Sequence, residues 1–102
     1  MASREPAQIL QELDLVVARV IAVEDHPGAR GPSTLLTLHL GPRGEAQAPL
    51  PVRVDEAQLL VGTQVVCAVG QDDAIVLAVH SHATGPVVVR PARDVEDGSP
   101  VA

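Results

Sequence analysis

The first 15 residues space their apolar side chains differently from the rest of the chain. Ile9, Leu10 and Leu13 recur at helical spacing and predict one apolar stripe on a short helix. Ser3 is the predicted N-cap of this helix, and Pro6 is tolerated in its first turn. A helix this short is marginal in isolation, so we expect its stripe to pack on the remaining fold or on a second subunit.

The pattern then changes to that of strands, and residues 15–24 predict a long one. Both of its faces are mostly apolar, with Val16, Ala18, Val20 and Ala22 on one side and Val17, Arg19, Ile21 and Val23 on the other. A two-sided apolar pattern is typical of a strand in a small closed barrel. Further strands are predicted over residues 35–40, 48–54, 63–69, 74–80 and 87–90. Pro49 and Pro51 confine the 48–54 segment to an edge strand or to irregular structure.

Turn-forming residues separate these strands. Loops rich in Gly, Pro or Asp are predicted at residues 25–33, 41–44, 70–73 and 84–86. A helical turn is predicted over residues 55–60, capped by Asp55 and ended by Gly62, and the acidic tail from Pro91 is predicted to be a loop. Together the elements favour an all-β fold with short helices: a five-stranded Greek-key barrel of the OB (oligonucleotide/oligosaccharide-binding) type with an N-terminal helical turn. An SH3-like barrel or a small sandwich would give a similar pattern.

Composition narrows the class of protein. The chain has 102 residues, which suits a single domain over residues 1–102. Its formal net charge is -6, valine is its commonest residue, and Phe, Tyr, Trp, Lys and Asn are absent. Abundant valine favours strands and excludes a disordered acidic tail. Without an apolar run long enough to span a bilayer and without a signal-peptide pattern, we expect a cytoplasmic protein with no membrane insertion.

The most conspicuous local cluster of reactive side chains is His80-Ser81-His82. Histidines two residues apart share one face of a strand, where they could hold a metal ion or serve Ser81 as a base. Two ligands seldom suffice for zinc and catalysis needs an oriented base, so two solvated histidines are the preferred interpretation. Cys67 lies between apolar neighbours and is interpreted as a buried structural thiol. We therefore expect no active site, no metal and no cofactor, and a protein that is not an enzyme.

Three arginines, Arg30, Arg43 and Arg53, fall in or beside the second and third strands. OB folds present this part of the barrel to their ligands, so these arginines predict a weak patch for RNA phosphates. The chain has no aromatic side chain on which a base could stack, and such stacking is worth about 1–3 kcal/mol per base. An equally consistent interpretation is that these arginines pair with nearby acids.

Several stretches, in order along most of the chain, resemble the tRNA-binding domain family. Residues 13–20 (LDLVVARV) are similar to its L-D-[LIM]-R-V-G-[RK]-[VI] opening, and Glu24 with His26 matches the E-x-H that follows. The remaining stretches resemble the CsaA-type subgroup and lie at residues 29–33 (ARGPS), 40–44 (LGPRG), 60–70 (LVGTQVVCAVG) and 85–98. The resemblance implies an OB barrel, usually a homodimer, that binds tRNA without catalysis. Members of the CsaA-type subgroup are also described as binding unfolded or preprotein segments.

The chain departs from the family mainly at positions that would face a ligand. Of the family's ligand-side residues, only Arg30 and Gln47 carry over by direct match. The arginine of the family's first strand is Val16 here, and the two lysines of its A-R-K-P-S-x-K-L run are Gly31 and Leu35. Because each cation that contacts a phosphate adds to affinity, losing several together predicts weakened tRNA binding.

Two hypotheses for function follow. In the first, the chain is a non-catalytic tRNA- or RNA-binding module with Arg30, Gln47, Arg43 and Arg53 as its binding residues. In the second, it is a protein-interaction or chaperone-like homodimer that has lost RNA binding, in line with its acidic charge and the apolar segment 48–54. A metal or hydrolytic site at His80 and His82 is a minor third option.

Overall fold

Antiparallel strands dominate the regular secondary structure of the computed structural model, which describes residues 5–71 and 73–101. In chain order the elements are α1 (Pro6–Glu12), β1 (Leu15–Asp25), β2 (Thr34–His39), a 3-10 turn (Gly41–Arg43), β3 (Glu45–Leu50), α2 (Val54–Gln58), β4 (Gln64–Val69), β5 (Ala74–Val76), β6 (Ala78–Ser81) and β7 (Gly85–Val88). The first five strands form one sheet in the order β3-β2-β1-β4-β5, and β6 with β7 forms a two-stranded sheet. Contacts between β3 and β5 nearly close the larger sheet into a barrel, so the predicted OB-type fold is confirmed.

The long strand β1 serves both halves of the barrel. Its first part, from Leu15 to Arg19, pairs with β4, and the part from Arg19 to Asp25 pairs with β2. A bulge in the register with β2 lies between Val20 and Ala22, and bulges bend a strand and increase its twist. Residues 15–18 are buried on both faces of the strand, which explains their continuous apolar pattern.

The core is built almost wholly from aliphatic side chains. Alternate residues of β2 are fully buried, and the threonine among them, Thr34, donates its hydroxyl to the backbone oxygen of Val52 at 2.9 Å. The main buried apolar residues are Val16, Ala18, Val20, Leu36, Leu38, Leu40, Ala48, Leu50, Val65, Cys67, Ala74 and Val76. Small branched residues thus fill a narrow barrel in which no aromatic ring is present.

Several predicted boundaries are wrong. The third strand ends at Leu50 and not at residue 54, and the last strand spans Gly85–Val88 and not residues 87–90, so it takes up part of the predicted 84–86 loop. The N-cap of α1 is Glu5, not Ser3, which lies outside the described residues; Pro6 occupies the first turn, and the Glu5 N–H donates to the side chain of Gln8 at 3.2 Å. Helix α2 is capped at Arg53, two residues before the predicted Asp55. Strand β3 begins three residues before the predicted start, because the tight 3-10 turn returns the chain at once to β2.

The predicted 74–80 strand is two strands that meet at Leu77. The N–H of Leu77 donates to the oxygen of Val66 at 2.9 Å, which continues the pairing with β4. The oxygen of Leu77 accepts the N–H of Val89 at 2.9 Å, which begins the pairing with β7. The chain therefore leaves the barrel sheet at this residue and enters the β6–β7 hairpin.

Residues 94–101, the C-terminal segment, lack regular structure as predicted but are held along β1. The Gly98 N–H donates to the oxygen of Val17 at 2.6 Å, and the Val17 N–H donates to the oxygen of Ser99 at 2.9 Å. The Val101 N–H donates to the oxygen of Leu15 at 2.9 Å. The first part of β1 pairs with β4 along one edge, and the C-terminal segment covers its other edge.

Candidate functional site

The loop between β1 and β2 and the start of α2 border an open pocket of about 540 Å³. Glycine and proline end β1 and make this loop fold back towards the β3–α2 junction. The pocket is lined by Asp25, His26, Pro27, Gly31, Pro32, Ser33, Arg53, Val54 and Asp55. One predicted binding residue, Arg53, therefore lines a polar pocket at the expected end of the barrel.

A hydrogen bond inside the β1–β2 loop joins His26 Nδ1 and Ser33 Oγ at 2.8 Å. It brings together the two ends of the loop, so it shapes the turn that carries Arg30. Both residues belong to segments that carry the family resemblance. No periodic signal pairs two side chains seven residues apart in a loop, so the sequence alone does not reveal this bond.

Arg30 is exposed in the β1–β2 loop. It has no hydrogen bond or ion pair with any other residue in the described ranges. Its guanidinium is therefore available to an external anion. Among the four predicted binding residues, it alone has no polar partner within the described part of the chain.

Arg43 is held by Asp14. Its Nη1 and Nη2 donate to the two carboxylate oxygens of Asp14 at 2.8 and 2.7 Å, which is a bidentate pair. The hydrogen bonds from Arg43 and its charge hold the pKa of Asp14 below its usual range. The pair ties the 3-10 turn to the start of β1, and this arginine is thus already partnered within the fold.

The other two predicted residues also face acids. Arg53 Nε lies 3.6 Å from Asp55 Oδ1, and both side chains are more than 70% exposed, so this ion pair is loose. Gln47 Nε2 donates to Glu24 Oε1 at 3.5 Å. The surface around the predicted site therefore carries a carboxylate beside each of these side chains.

The predicted residues do not converge on one pocket. Arg53 lines the pocket at the β1–β2 loop, whereas Arg43 and Gln47 line two smaller depressions that share Glu45. A surface built this way offers isolated cations among acids. It differs from the continuous positive track that holds a nucleic-acid backbone.

A second concave surface is apolar and lies between the end of β3, α2 and β7. This groove has a volume of about 280 Å³ and is lined by Leu50, Val52, Glu56, Leu60, Pro86, Val87, Val88 and Arg90. Val87 is 49% exposed. Its partner across the hairpin, Val79, is 62% exposed but does not line the groove. The predicted apolar segment 48–54 supplies two of the groove's residues, whereas the β7 wall has no signal in the sequence.

The His80-Ser81-His82 cluster and Cys67 are the remaining reactive side chains that the sequence singled out. His80 and His82 are exposed at the end of the β6–β7 hairpin, and the Ser81 hydroxyl between them accepts the N–H groups of Ala83 and Thr84 at 3.2 and 3.3 Å. Within residues 5–71 and 73–101, no group of three or more His, Cys, Asp or Glu is arranged to hold a metal ion. Cys67 is a buried free thiol as predicted, and burial raises its pKa to about 11.

In the part of the chain that the structure describes, no helix has the length and apolar character needed to cross a membrane.

The fold and surface define an OB-type barrel with a polar pocket at the β1–β2 loop and an apolar groove between β3, α2 and β7. No protein-family model matches the sequence, and no curated protein matches it. Solved structures, in contrast, match the fold over nearly the whole chain.

Two of the similar structures are chaperones called CsaA. The CsaA of Bacillus anthracis has a TM-score of 0.80 and 20% identity over 98% of this chain and 100% of that chain. The CsaA of Picrophilus torridus has a TM-score of 0.81 and 18% identity over 97% of this chain and 100% of that one. A MetRS-related protein from Pyrococcus horikoshii has a TM-score of 0.77 and 12% identity over 99% and 100% of the two chains. The predicted resemblance to the CsaA-type fold is thus confirmed at the level of the fold.

Proposed function

We propose that this chain is a non-catalytic OB-fold binding module that holds an extended apolar segment of another protein in the groove between β3, α2 and β7. The observation that carries this proposal is the groove itself. Its floor and walls include Leu50, Val52, Leu60 and Val88, all buried or partly buried. An apolar cleft with a few polar groups at its rim is the usual form of a peptide or ligand site.

The charge distribution around the barrel supports a protein partner over a nucleic acid. Arg43 is engaged by Asp14, and Arg53 and Gln47 each lie beside a carboxylate. RNA affinity depends on several cations that displace counterions from phosphates. Two of the solved structures that share the fold are described as chaperones, and this description also supports a protein-binding role.

The test compares two exposed valines that face each other across the β6–β7 hairpin. A fluorescein-labelled decapeptide of alternating Leu and Ser serves as the probe, and its fluorescence anisotropy reports binding. Val87→Asp places a charge in the groove and should weaken binding at least about tenfold, equivalent to about 1.4 kcal/mol. Val79→Asp places the same charge outside the groove and should change affinity less than about twofold. Equal effects of the two substitutions would contradict the proposal.

Weak RNA binding is a second candidate function, and it is favoured by Arg30 and Arg53 at the β1–β2 end of the barrel. Two such contacts give a log–log salt slope of about -1.8 with duplex RNA regions, which is shallow. Arg30→Ala should reduce the slope measured with bulk tRNA by about one half, whereas Arg43→Ala, which removes an arginine already paired with Asp14, should not. A slope steeper than about -4 would show that other cations contact the RNA.

The proposal includes a homodimer, supported by the exposure of α1. No residue of this helix is buried. Ile9 is 44% exposed, and Leu13, which caps the C-terminal end of the helix, is 50% exposed. The barrel of one subunit does not cover the predicted apolar stripe, so a second copy is the partner that would cover it symmetrically.

A further inference from the structure

We infer that the segment held in the β3–α2–β7 groove is acidic as well as apolar, with Asp or Glu at the end that meets β7. This inference rests on the proposed function of the groove. It comes from the uneven distribution of charge along the chain and from the positions of the arginines that lack a partner in the described structure.

Residues 74–93 form the longest part of the chain without an acid. These 20 residues contain Arg90, Arg93, His80 and His82, so their formal charge is +2. The other 82 residues contain all 13 acids and five arginines, so their formal charge is -8. The segment supplies β5, the β6–β7 hairpin and the strand end that forms one wall of the groove.

The two arginines of this segment are not neutralised within the described fold. Arg90 lines the groove, and both Arg90 and Arg93 are exposed. Neither has a hydrogen bond or ion pair with any residue of 5–71 or 73–101, in contrast to Arg19, Arg43 and Arg53. An exposed cation beside an apolar cleft attracts a carboxylate that the partner brings with its apolar residues.

Among the described residues, the one acid that lines the groove is Glu56 of α2. The groove is therefore negative at α2 and positive at the residues that follow β7. A bound segment with an acid at Arg90 avoids Glu56, whereas the reverse orientation brings two carboxylates together. Charge thus selects both the composition of the segment and its direction.

A protein segment fits this surface better than RNA does. The groove offers one lining arginine and six apolar residues, and Glu56 repels a polyanion. Binding of single-stranded RNA needs a run of cations on the protein and aromatic side chains on which bases stack, and this chain has no aromatic residue. RNA is therefore an outcome that the experiment must distinguish.

The experiment measures anisotropy with three labelled decapeptides that share one Leu and Ser core and carry Asp, Ser or Lys at one end only. We expect the Asp peptide to bind about two- to fivefold more tightly than the Ser peptide at low salt, the range of one exposed ion pair. The preference should disappear at 1 M salt, where the screening length is about 3 Å. Arg90→Gln should abolish the preference and leave the affinity for the Ser peptide unchanged. Arg93→Gln, the matched control at an exposed arginine that does not line the groove, should alter neither.

The possible outcomes separate this inference from the proposed function. Equal affinity for the three peptides, or tighter binding of the Lys peptide, overturns the acidic preference and leaves the groove as a peptide site. A preference that survives in Arg90→Gln also overturns it. Failure of all three peptides to bind overturns the proposed function itself. Displacement of the Asp peptide by single-stranded RNA, lost in Arg90→Gln, would overturn the inference in favour of RNA.

Discussion

Asp97 ties the C-terminal segment to three strands of the barrel. Its Oδ2 accepts a hydrogen bond from His39 Nδ1 of β2 at 2.8 Å, and its Oδ1 accepts one from Gln64 Nε2 of β4 at 2.8 Å. Arg19 Nε of β1 lies 3.2 Å from the same Oδ1. Burial raises the pKa of Asp97, but the hydrogen bonds from His39 and Gln64 and the charge of Arg19 outweigh burial and hold the pKa below its usual range.

Replacing Asp97 should therefore reduce the free energy of unfolding. Asp97→Asn removes the charge that all three partners face and should cost about 1–3 kcal/mol at neutral pH. Asp94→Asn should cost less than about 0.5 kcal/mol, because this side chain is 75% exposed and, among the described residues, forms an ion pair only with Arg19. Urea unfolding followed by far-ultraviolet circular dichroism measures both, since no aromatic residue is needed. Equal costs for the two variants would show that Asp97 has no special role.

The cost of Asp97→Asn should depend on pH with a defined sign. Because the pKa of Asp97 is lower in the folded state, its contribution to stability is fully present above the unfolded pKa of about 3.9. The contribution is lost as the pH falls through the lower, folded pKa. The difference between wild type and variant should thus be constant from about pH 6 to 5 and shrink below about pH 4. A difference that grows on acidification would contradict this assignment.

At the scale of single residues, the sequence predicts types of side chain better than their partners. The acidic composition makes arginine–carboxylate pairing a reasonable expectation, but it does not say that Arg43 pairs with an acid 29 positions away. Such pairs depend on how strands are arranged in space. Arg30 is the opposite case, because its loop and exposure follow from the glycine and proline around it.

At the scale of elements, two glycines let the C-terminal segment pass close to the turn after β2. Gly41 and Gly98 have φ values of +63° and +89°, a region that favours glycine. A Cβ added at Gly41 would overlap the backbone oxygen of Asp97, and one added at Gly98 would overlap the backbone oxygen of Leu40. The two glycines therefore make the reciprocal contact that places Asp97 beside its partners.

Gly98→Ala should therefore destabilise the protein more than an alanine at a glycine of similar φ in open space. Gly85 provides this control, because its φ is +77° and no atom lies within 4 Å of an added Cβ. Gly85→Ala should cost about 1–2 kcal/mol, the price of the backbone conformation alone. Gly98→Ala adds the overlap with Leu40 and should cost at least about 1 kcal/mol more. Equal melting temperatures would show that the segment can move aside without loss.

Most of the elements could be predicted from periodicity, and the exceptions have physical causes. Strands β1, β2 and β4 alternate or bury both faces, so their patterns are strong. The strand break at Leu77 has no signal in the sequence, because a continuous apolar run has the same pattern whether it pairs with one neighbouring strand or with two. The C-terminal segment lacks periodicity as well, since it is held by side chains and by single backbone bonds to β1.

At the scale of the whole molecule, the main unexplained surface is the apolar side of α1. Replacing both Ile9 and Leu13 by Glu should convert a dimer into a monomer without unfolding the barrel, because no residue of α1 is buried in one subunit. Leu59→Glu, at a residue 81% exposed on another surface, should leave the dimer intact. Sedimentation velocity with interference optics measures the mass, since the chain lacks Trp and Tyr. A wild-type protein that sediments as a monomer at micromolar concentration would contradict the dimer.

We propose the groove between β3, α2 and β7, and not the β1–β2 loop, as the principal binding surface. Backbone amide chemical shifts of isotope-labelled protein, recorded while the Leu and Ser decapeptide is added, test this claim most directly. We expect the amide resonances of Val52, Leu60 and Val88 to shift progressively as peptide is added. Shifts confined to the loop around Arg30, or shifts that appear with tRNA and not with peptide, would contradict it.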